Sequence, residues 1–182
     1  MLIAIIVVVV LVLAVIYAVL YNGLVRSRNQ AQEFESQISV QLKRRTDLIP
    51  NLVSTVKGYA QHEKSTLEEV VKLRNSVVSA DSLQDKVTAD GQLSGVLRQV
   101  FALAESYPDL KANQEFGKLM EELTNTENKV AYSRQAYNSA VQYYNTGTQT
   151  FPRNLVANLH HFQKMDYLTI PEAETKVPEV KF

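Results

Sequence analysis

The histidines are the residues whose type and spacing come nearest to a metal site. His62 and Glu63 begin like the His-Glu-x-x-His motif of zinc proteases, in which two histidines on one helix face bind the metal. Position 66 is Thr, so the second ligand is missing. His160 and His161 are adjacent, and on a helix their side chains point about 100° apart. Neither set has metal-ligand spacing, and we expect no metal site.

Other catalytic chemistry also lacks the residues it needs. The chain has no Cys, which excludes thiol nucleophiles, disulfides and thiolate metal sites. No Gly-rich phosphate loop or nucleophile elbow occurs. The carboxylate pairs Glu68-Glu69 and Glu121-Glu122 are chain neighbours, so on a helix they face different ways. The sequence therefore predicts a protein that is not an enzyme and uses no cofactor. Its 19 basic and 19 acidic residues balance, which gives no electrostatic case for nucleic acid.

The more informative polar residues lie within two apolar stripes. Apolar residues recur at alternating steps of four and three, with one stutter, from Ile38 to Val77, and again from Phe116 to Tyr144. This period is typical of helices in a bundle or coiled coil. Charged residues occupy some stripe positions, and a buried charge must be paired. We therefore expect a buried polar network of Arg45, Glu63, Arg74, Glu127 and Arg134, joined by Glu105.

Three interpretations of this network remain open at the sequence level. The favoured one is structural: charged residues within a helix seam specify register, as polar residues do in coiled coils. The second is functional, with the polar seam binding a ligand or moving a proton. In the third, the stripe positions are partly exposed, because a register assigned from sequence can be wrong by a residue or two.

Tyrosines followed by asparagine form a second group. The pairs begin at Tyr21, Tyr137 and Tyr144, and the last two are one heptad apart. Amphipathic rings with a polar tip are frequent at interfaces. We expect Tyr21, Tyr137, Tyr144 and Phe151 to lie close to the membrane and to form an interface there.

The elements that position these residues begin with a membrane span. Residues 1–21 contain no charged residue, amide, Gly or Pro. At about 1.5 Å per residue they span roughly 31 Å, close to the ~30 Å hydrocarbon core of a bilayer. A cleaved secretory signal is disfavoured, because no basic residue precedes the run and Ala14 and Ala18 lack the cleavage spacing. We expect a retained anchor.

Flanking charge predicts how the anchor is oriented. Basic residues follow the span, beginning with Arg26 and Arg28, and none precedes it. Lys and Arg near a span favour the cytoplasmic side. We expect a bacterial cell membrane protein with its N-terminus outside and the rest of the chain in the cytoplasm.

The sequence pattern after the span predicts an all-α, up-and-down four-helix bundle with long helices. The polar residues 79–91 suggest a loop. Tyr107-Pro108-Asp109 suggests a break between two helices, with Asp109 as the cap of the second. Pro50 is ambiguous: the chain either reverses near 46–50 or continues as one kinked helix. A reversal gives helices at about 22–46, 47–79, 91–106 and 110–147. We expect an anchor at 1–21, a bundle domain at 22–168 and an extended or disordered tail at 169–182.

Several strings occurring together in order resemble the LemA family of bacterial membrane proteins. The clearest are YNGLV from Tyr21, LKRRTDLIPNLV from Leu42, VKGYA from Val56 and AESYPDLKAN from Ala104. The resemblance covers about residues 20–165. It implies a single N-terminal span, a compact helical bundle and no established enzymatic activity. It also implies an association with membrane proteases and with envelope stress.

Taken together, residues and resemblance predict a membrane-anchored scaffold or adaptor that self-associates, with a membrane protease or another envelope protein as a possible partner. The rival prediction is a ligand-binding or enzymatic bundle whose site is the polar seam.

Overall fold

The computed structural model of the protein describes residues 1–60 and 62–169, whose regular secondary structure is helical throughout. The helices in this part of the chain are α1 (Leu2–Lys57), α2 (Lys64–Ser79), α3 (Leu83–Ala104), α4 (Pro108–Lys111), α5 (Gln114–Gln149) and α6 (Arg153–Leu159). The predicted all-α bundle class is confirmed. The tail predicted at 169–182 lies outside the described residues from position 170 onward.

The N-terminal part of α1 has the composition of a membrane span. An 18-residue window in this helix has a mean hydropathy of 3.5, and none of the window is buried within the protein. Among the described residues, α1 is the one helix long and apolar enough to cross a membrane. Such an exposed apolar surface is stable in lipid and unfavourable in water. The structure thus agrees with the span predicted from the sequence.

Of the two alternatives left open at Pro50, the structure has the continuous helix: α1 runs through Pro50 to Lys57, and the chain does not reverse near 46–50. Proline has no backbone N–H, so it cannot donate to the carbonyl of Thr46 one turn earlier. The Arg74 Nε on α2 donates to that carbonyl instead, at 3.3 Å. Thr46 is buried, and an unpaired carbonyl there would be costly. A side chain distant in sequence thus replaces the hydrogen bond that Pro50 removes.

The predicted loop at 79–91 is wrong, because α3 begins at Leu83. Ser82 is the N-cap: its Oγ accepts a hydrogen bond from the Asp85 N–H at 3.0 Å and its hydroxyl donates to the Asp85 carboxylate at 2.7 Å. This reciprocal arrangement resembles a capping box and starts a helix within a polar stretch. In place of the helices that a reversal at Pro50 would give at 22–46, 47–79 and 91–106, the structure has α1, α2 and α3.

The break predicted after α3 is confirmed, but the predicted cap is not. Pro108 begins the single turn of α4, where a missing N–H costs nothing. The cap of α5 is Asn113, whose Oδ1 accepts from the Phe116 N–H at 2.9 Å, and not Asp109. The long helix ends at Gln149, just before Phe151-Pro152, as the sequence predicts.

The chain forms two compact units, and each has buried apolar residues of its own. Unit 1 comprises Met1–Ser36 and Arg134–Tyr167, and unit 2 comprises Gln37–Ser133 with Leu168 and Thr169. In unit 1, Leu20, Tyr21 and Phe162 pack against a buried cluster of Leu24, Val156 and Ala157. In unit 2, the buried residues are those of the predicted stripes on α1 and α5 together with apolar positions of α2 and α3, among them Ile38, Leu42, Ile49, Leu52, Val56, Val70, Val77, Leu93, Leu97, Val100, Phe116, Leu123 and Val130.

We predict that the Arg74 bond matters only because Pro50 is present. Arg74→Met should lower the free energy of unfolding by about 1–3 kcal/mol, because the Thr46 carbonyl loses its donor. In a Pro50→Ala background the restored N–H can bond that carbonyl, so the same change should cost clearly less. Urea unfolding of the full chain in mild detergent, analysed as a double-mutant cycle, measures the difference.

The control for this cycle is Lys72→Met on the exposed face of α2, which should cost little in either background. An Arg74→Met cost that is the same with and without Pro50 would contradict the explanation.

Candidate functional site

Arg45 is the central residue of the polar seam, and it lies entirely within unit 2. Its side chain is 1 % exposed and belongs to the apolar stripe of α1. The Arg45 Nη1 donates to both carboxylate oxygens of Asp90 on α3, at 2.9 and 2.8 Å. The Arg45 Nη2 donates to the Glu127 carboxylate on α5 at 3.3 Å. Three helices therefore contribute one charged group each, and we call these three residues the Arg45 triad.

The two carboxylates of the Arg45 triad differ in their surroundings. The Asp90 side chain is 6 % exposed, whereas the Glu127 side chain is 39 % exposed. The shorter, buried Asp90 contact has little solvent screening, and water competes for Glu127. Asp90 is therefore the main partner of Arg45, and Glu127 is an auxiliary partner at the edge of the seam.

The Arg45 triad leaves one guanidinium nitrogen unused. The Arg45 Nε and the Gln41 Oε1 are both buried, and neither has a hydrogen-bond partner within the described residues. The two residues are one turn apart on α1, and they offer one donor and one acceptor. Most buried polar atoms in proteins are hydrogen-bonded, so this pair is the feature of the seam best suited to hold a small polar molecule.

Of the six residues predicted for the network, the structure brings Arg45 and Glu127 into contact. Arg74 bonds the Thr46 carbonyl. The other three lie elsewhere: Glu63 accepts from the Tyr107 hydroxyl at 3.4 Å, Glu105 is exposed and paired with Lys111, and Arg134 is half-buried in unit 1.

Sequence reasoning missed Asp90 because it assigned residues 79–91 to a loop. Two signals could have found it. Ser82 and Asp85 have the spacing of a reciprocal helix start. If a helix is assumed to begin at Leu83, then one face of it carries three residues spaced by three, namely Val87, Asp90 and Leu93. An acidic residue on an otherwise buried face requires a cation.

The predicted interface tyrosines Tyr137 and Tyr144 are buried in unit 1, with 6 % and 1 % of their surface exposed. Their hydroxyls donate to the backbone carbonyls of Asp166 at 3.1 Å and Gln163 at 2.8 Å. These two rings therefore form an internal contact and not an exposed surface. Their burial is explained by the carbonyl partners that the C-terminal segment supplies.

Asn145, which follows Tyr144 on α5, is also hydrogen-bonded to the C-terminal segment. Its side-chain amide donates to the Met165 carbonyl at 2.8 Å, and the Met165 N–H donates to its Oδ1 at 2.9 Å. A side-chain amide thus bonds a backbone donor and acceptor at once, as a neighbouring strand would. Residues 163–166 are held along α5 by these contacts.

Both buried phenols remain hydrogen-bond donors at neutral pH. Burial raises the pKa of Tyr137, and the charges of Glu35 and Asp166 raise it further. Burial also raises the pKa of Tyr144, while the nearby charge of Arg28 acts in the opposite direction. A raised pKa keeps each phenol protonated, so both hydroxyls can donate to their carbonyls.

The other two residues predicted for the interface are more accessible. Tyr21 is half-buried, and its ring lies 4.8 Å from that of His160 and 5.9 Å from that of Phe162. Phe151 is 79 % exposed. Within residues 1–60 and 62–169, no group of three or more His, Cys, Asp or Glu side chains is placed to hold a metal ion.

Comparison with known proteins points to one family. The sequence model of the LemA family matches residues 34–182. Protein LemA of Metamycoplasma hominis is 26 % identical over 150 residues, which cover 82 % of this chain and 66 % of that protein. Magnetosome protein MamQ of Magnetospirillum gryphiswaldense is 23 % identical over 173 residues, with coverage of 81 % and 64 %. The chain thus spans just under two thirds of the length of these relatives.

We predict that Arg45 and its chain neighbour Arg44 differ sharply in their contribution to stability. Arg45→Ala removes the buried partner of Asp90 and should cost about 3–5 kcal/mol of unfolding free energy. Arg44 pairs with Glu122 at 2.6 Å, with side chains 51 % and 43 % exposed. Solvent screens this pair, so Arg44→Ala should cost less than about 1 kcal/mol. Urea unfolding in mild detergent compares the two variants.

A third variant separates charge from packing. Replacing Arg45 and Asp90 together by Met and Leu should recover much of the loss, because no buried charge remains. Equal costs for Arg44→Ala and Arg45→Ala would contradict the buried triad.

Proposed function

This chain belongs to the LemA family, and we propose that it is a membrane-anchored, non-enzymatic helical scaffold that self-associates in the plane of a bacterial membrane. The observation that carries the proposal lies in unit 1. There α6 packs through Val156 and Ala157 against Leu24 of α1, three residues beyond the apolar run. Unit 1 therefore contains both the span and a helix held close to the membrane surface.

The Arg45 triad supports a structural and not a catalytic role for the bundle. Its one cation is bound to two carboxylates from two other helices, so its charge is already neutralised. Buried polar groups of this kind can specify which helices meet and in which register. The names of the relatives denote no reaction, which is consistent with a scaffold.

The surface proposed for self-association comprises two residues of α6 and one residue of the turn that precedes it. Phe151, Leu155 and Leu159 are 79 %, 61 % and 66 % exposed, and they follow one another at intervals of four residues. We call these three residues the α6 face. Exposed apolar patches mark interaction sites. Because every copy is anchored by the same span, all copies present this face at the same height, and confinement to a membrane raises their effective concentration.

Partners and location follow from the family and from flanking charge. We place the chain in the bacterial cell membrane, with its N-terminus outside and the residues after the span in the cytoplasm. Arg26 and Arg28 support this orientation. The family resemblance supports a role in envelope organisation or stress, with a membrane protease or another envelope protein as partner.

A second function is favoured by one specific observation, the unpartnered Arg45 Nε and Gln41 Oε1. In this alternative the seam binds a small polar ligand that accepts from one atom and donates to the other. Native mass spectrometry of full-length protein purified from cells tests it. A small molecule that is retained by the native chain and lost in Gln41→Leu would favour this alternative over the scaffold.

We predict that full-length protein in mild detergent forms assemblies of several chains in mass photometry. Leu155→Gln combined with Leu159→Gln should shift the distribution strongly toward single chains, because the α6 face loses its apolar area. The matched control is Val78→Gln, which changes an exposed apolar residue of unit 2 and should leave the distribution unchanged. Single chains in the native protein, or assemblies unaffected by the double variant, would contradict self-association through this face.

We also predict the orientation of the soluble part. Single cysteines at the exposed positions Asp81 and Lys118 can be introduced into a chain that has none of its own. In intact cells an impermeant thiol reagent should label neither position, and after permeabilisation it should label both. Labelling of intact cells would show that the bundle lies outside the cytoplasm.

A further inference from the structure

Unit 1 contains a predominantly polar pocket of about 400 Å³ directly beyond the span. Residues of α1 form one side of this pocket, and residues following α6 form the other. The residues that matter for its chemistry are Tyr21, Arg28, Asn29, Gln32, His160 and Phe162. Among the described residues that line the pocket there is no carboxylate, although the chain as a whole has as many acids as bases.

From its position and its lining we infer that this pocket binds the phosphate headgroup of an anionic phospholipid. The position comes first. The apolar run ends at Tyr21, and Arg28 lies seven residues further along α1, which is about 10 Å along the helix axis. The headgroup layer on each side of a bilayer is roughly 5–8 Å thick. The lower part of the pocket therefore lies within the headgroup layer, and Arg28 lies just above it.

The direction of α1 brings the Arg28 side chain toward the lipid. Side chains on an α-helix lean toward the helix N-terminus. Because α1 leaves the membrane as it proceeds, Arg28 leans back toward the headgroups. A long arginine stem can also extend along apolar surface while its guanidinium remains at the polar layer.

The pocket offers the donors that a phosphate needs. A guanidinium binds phosphate oxygens with two parallel hydrogen bonds. Arg28 is exposed and has no ion pair within the described residues, so its charge is available. The side-chain amides of Asn29 and Gln32 follow it along α1, and both can donate.

Aromatic contacts position His160 at the membrane boundary. The Tyr17 hydroxyl is hydrogen-bonded to the His160 Nε2, and the Tyr21 ring lies 4.8 Å from the His160 ring. Both tyrosines are at the end of the span, where amphipathic rings are common. These contacts hold one wall of the pocket at the level of the lipid headgroups.

The charge of the surrounding unit favours an anion. Unit 1 has three acidic residues, Glu33, Glu35 and Asp166, and five basic residues, so its net formal charge is positive; the basic residues are Arg26, Arg28, Arg134, Arg153 and Lys164. Arg153 lies against α1, with a guanidinium nitrogen 3.6 Å from where a Cβ on Gly23 would be. Basic residues near a membrane surface attract anionic lipids. The balanced charge of the whole chain thus conceals a basic region beside the span.

The inference rests on the membrane anchor of the proposed function but not on self-association. Its test is a titration of delipidated full-length protein in detergent, followed by native mass spectrometry. The probes are a phosphatidylglycerol, a phosphatidylcholine and inorganic phosphate. Phosphatidylglycerol should be retained in preference to phosphatidylcholine, and millimolar inorganic phosphate should not displace it.

Two single variants make the test specific. Arg28→Gln should weaken phosphatidylglycerol retention about fivefold or more, because the phosphate in the pocket loses the paired hydrogen bonds of the guanidinium. Arg26→Gln removes the same charge from another exposed position of α1, outside the pocket, and should weaken retention less than twofold. Because both side chains are exposed, thermal melting should show that both variants remain folded.

Three results would overturn the inference. Equal losses for Arg26→Gln and Arg28→Gln would show diffuse attraction and no site. Equal retention of phosphatidylglycerol and phosphatidylcholine would show that the pocket does not select an anionic headgroup. Displacement by inorganic phosphate would make this a free phosphate site. Mass photometry of the same wild-type sample shows separately whether the chain self-associates, so failure of one proposal is distinguishable from failure of the other.

Discussion

The unfavourable burial of the Arg45 charge is the constraint on which unit 2 depends. A guanidinium that is 1 % exposed cannot be solvated by water, so the protein must supply carboxylates in its place. Asp90 and Glu127 do so from two other helices, and each must be in the right register to reach Arg45. Apolar side chains tolerate small sliding of one helix on another, but a hydrogen-bonded ion pair does not. The triad therefore contributes more to the choice of one arrangement than to stability, where a well-packed apolar replacement could serve as well.

A second constraint comes from Pro50. As with Arg45, a buried polar group on α1 needs a partner that another helix must supply. The sequence lacks one donor that a helix interior requires, and Arg74 supplies it from another helix. Arg45 and Thr46 are chain neighbours on α1, so two adjacent positions both depend on side chains from elsewhere in unit 2. The stretch resembling the LemA family that begins at Leu42 contains both residues. Polar contacts with distant residues account for two unfavourable features of this stretch, a buried arginine charge and a proline inside a helix.

The sequence predicted the parts of the fold that depend on periodicity. The buried stripe from Ile38 to Val56 follows from a repeat close to 3.6 residues, and so does the placement of Glu127 beside the seam. It failed where a distant partner decides the outcome. Pro50 looked like a helix boundary because its substitute donor is on α2. Asp90 was assigned to a loop because the stretch around it is polar, and its burial is explained only by the cation that Arg45 supplies from α1. Tyr137 was expected at an exposed interface because it is amphipathic. It is buried because its hydroxyl can donate to the carbonyl of Asp166.

Unit 1 shows how the distribution of charge can matter more than its total. The chain has no net charge, yet unit 1, which contains the span, has five basic and three acidic residues. Apolar residues of the α6 face lie in the same unit and are exposed to the surroundings. A basic pocket and an apolar face close to a membrane are consistent with a protein whose function is exerted at the bilayer surface, through lipids and through neighbouring copies.

Native-state hydrogen exchange of the full-length protein tests the central claim about Arg45 most directly. If the triad joins its helices into one cooperative unit, amides of α1 around residues 42–52 and of α3 around residues 87–97 open only together. Their opening free energies should then be equal, and they should be the highest in unit 2. Exchange of the α1 amides at a clearly lower free energy, while α3 remains protected, would contradict the claim that the Arg45 contacts couple α1 to α3.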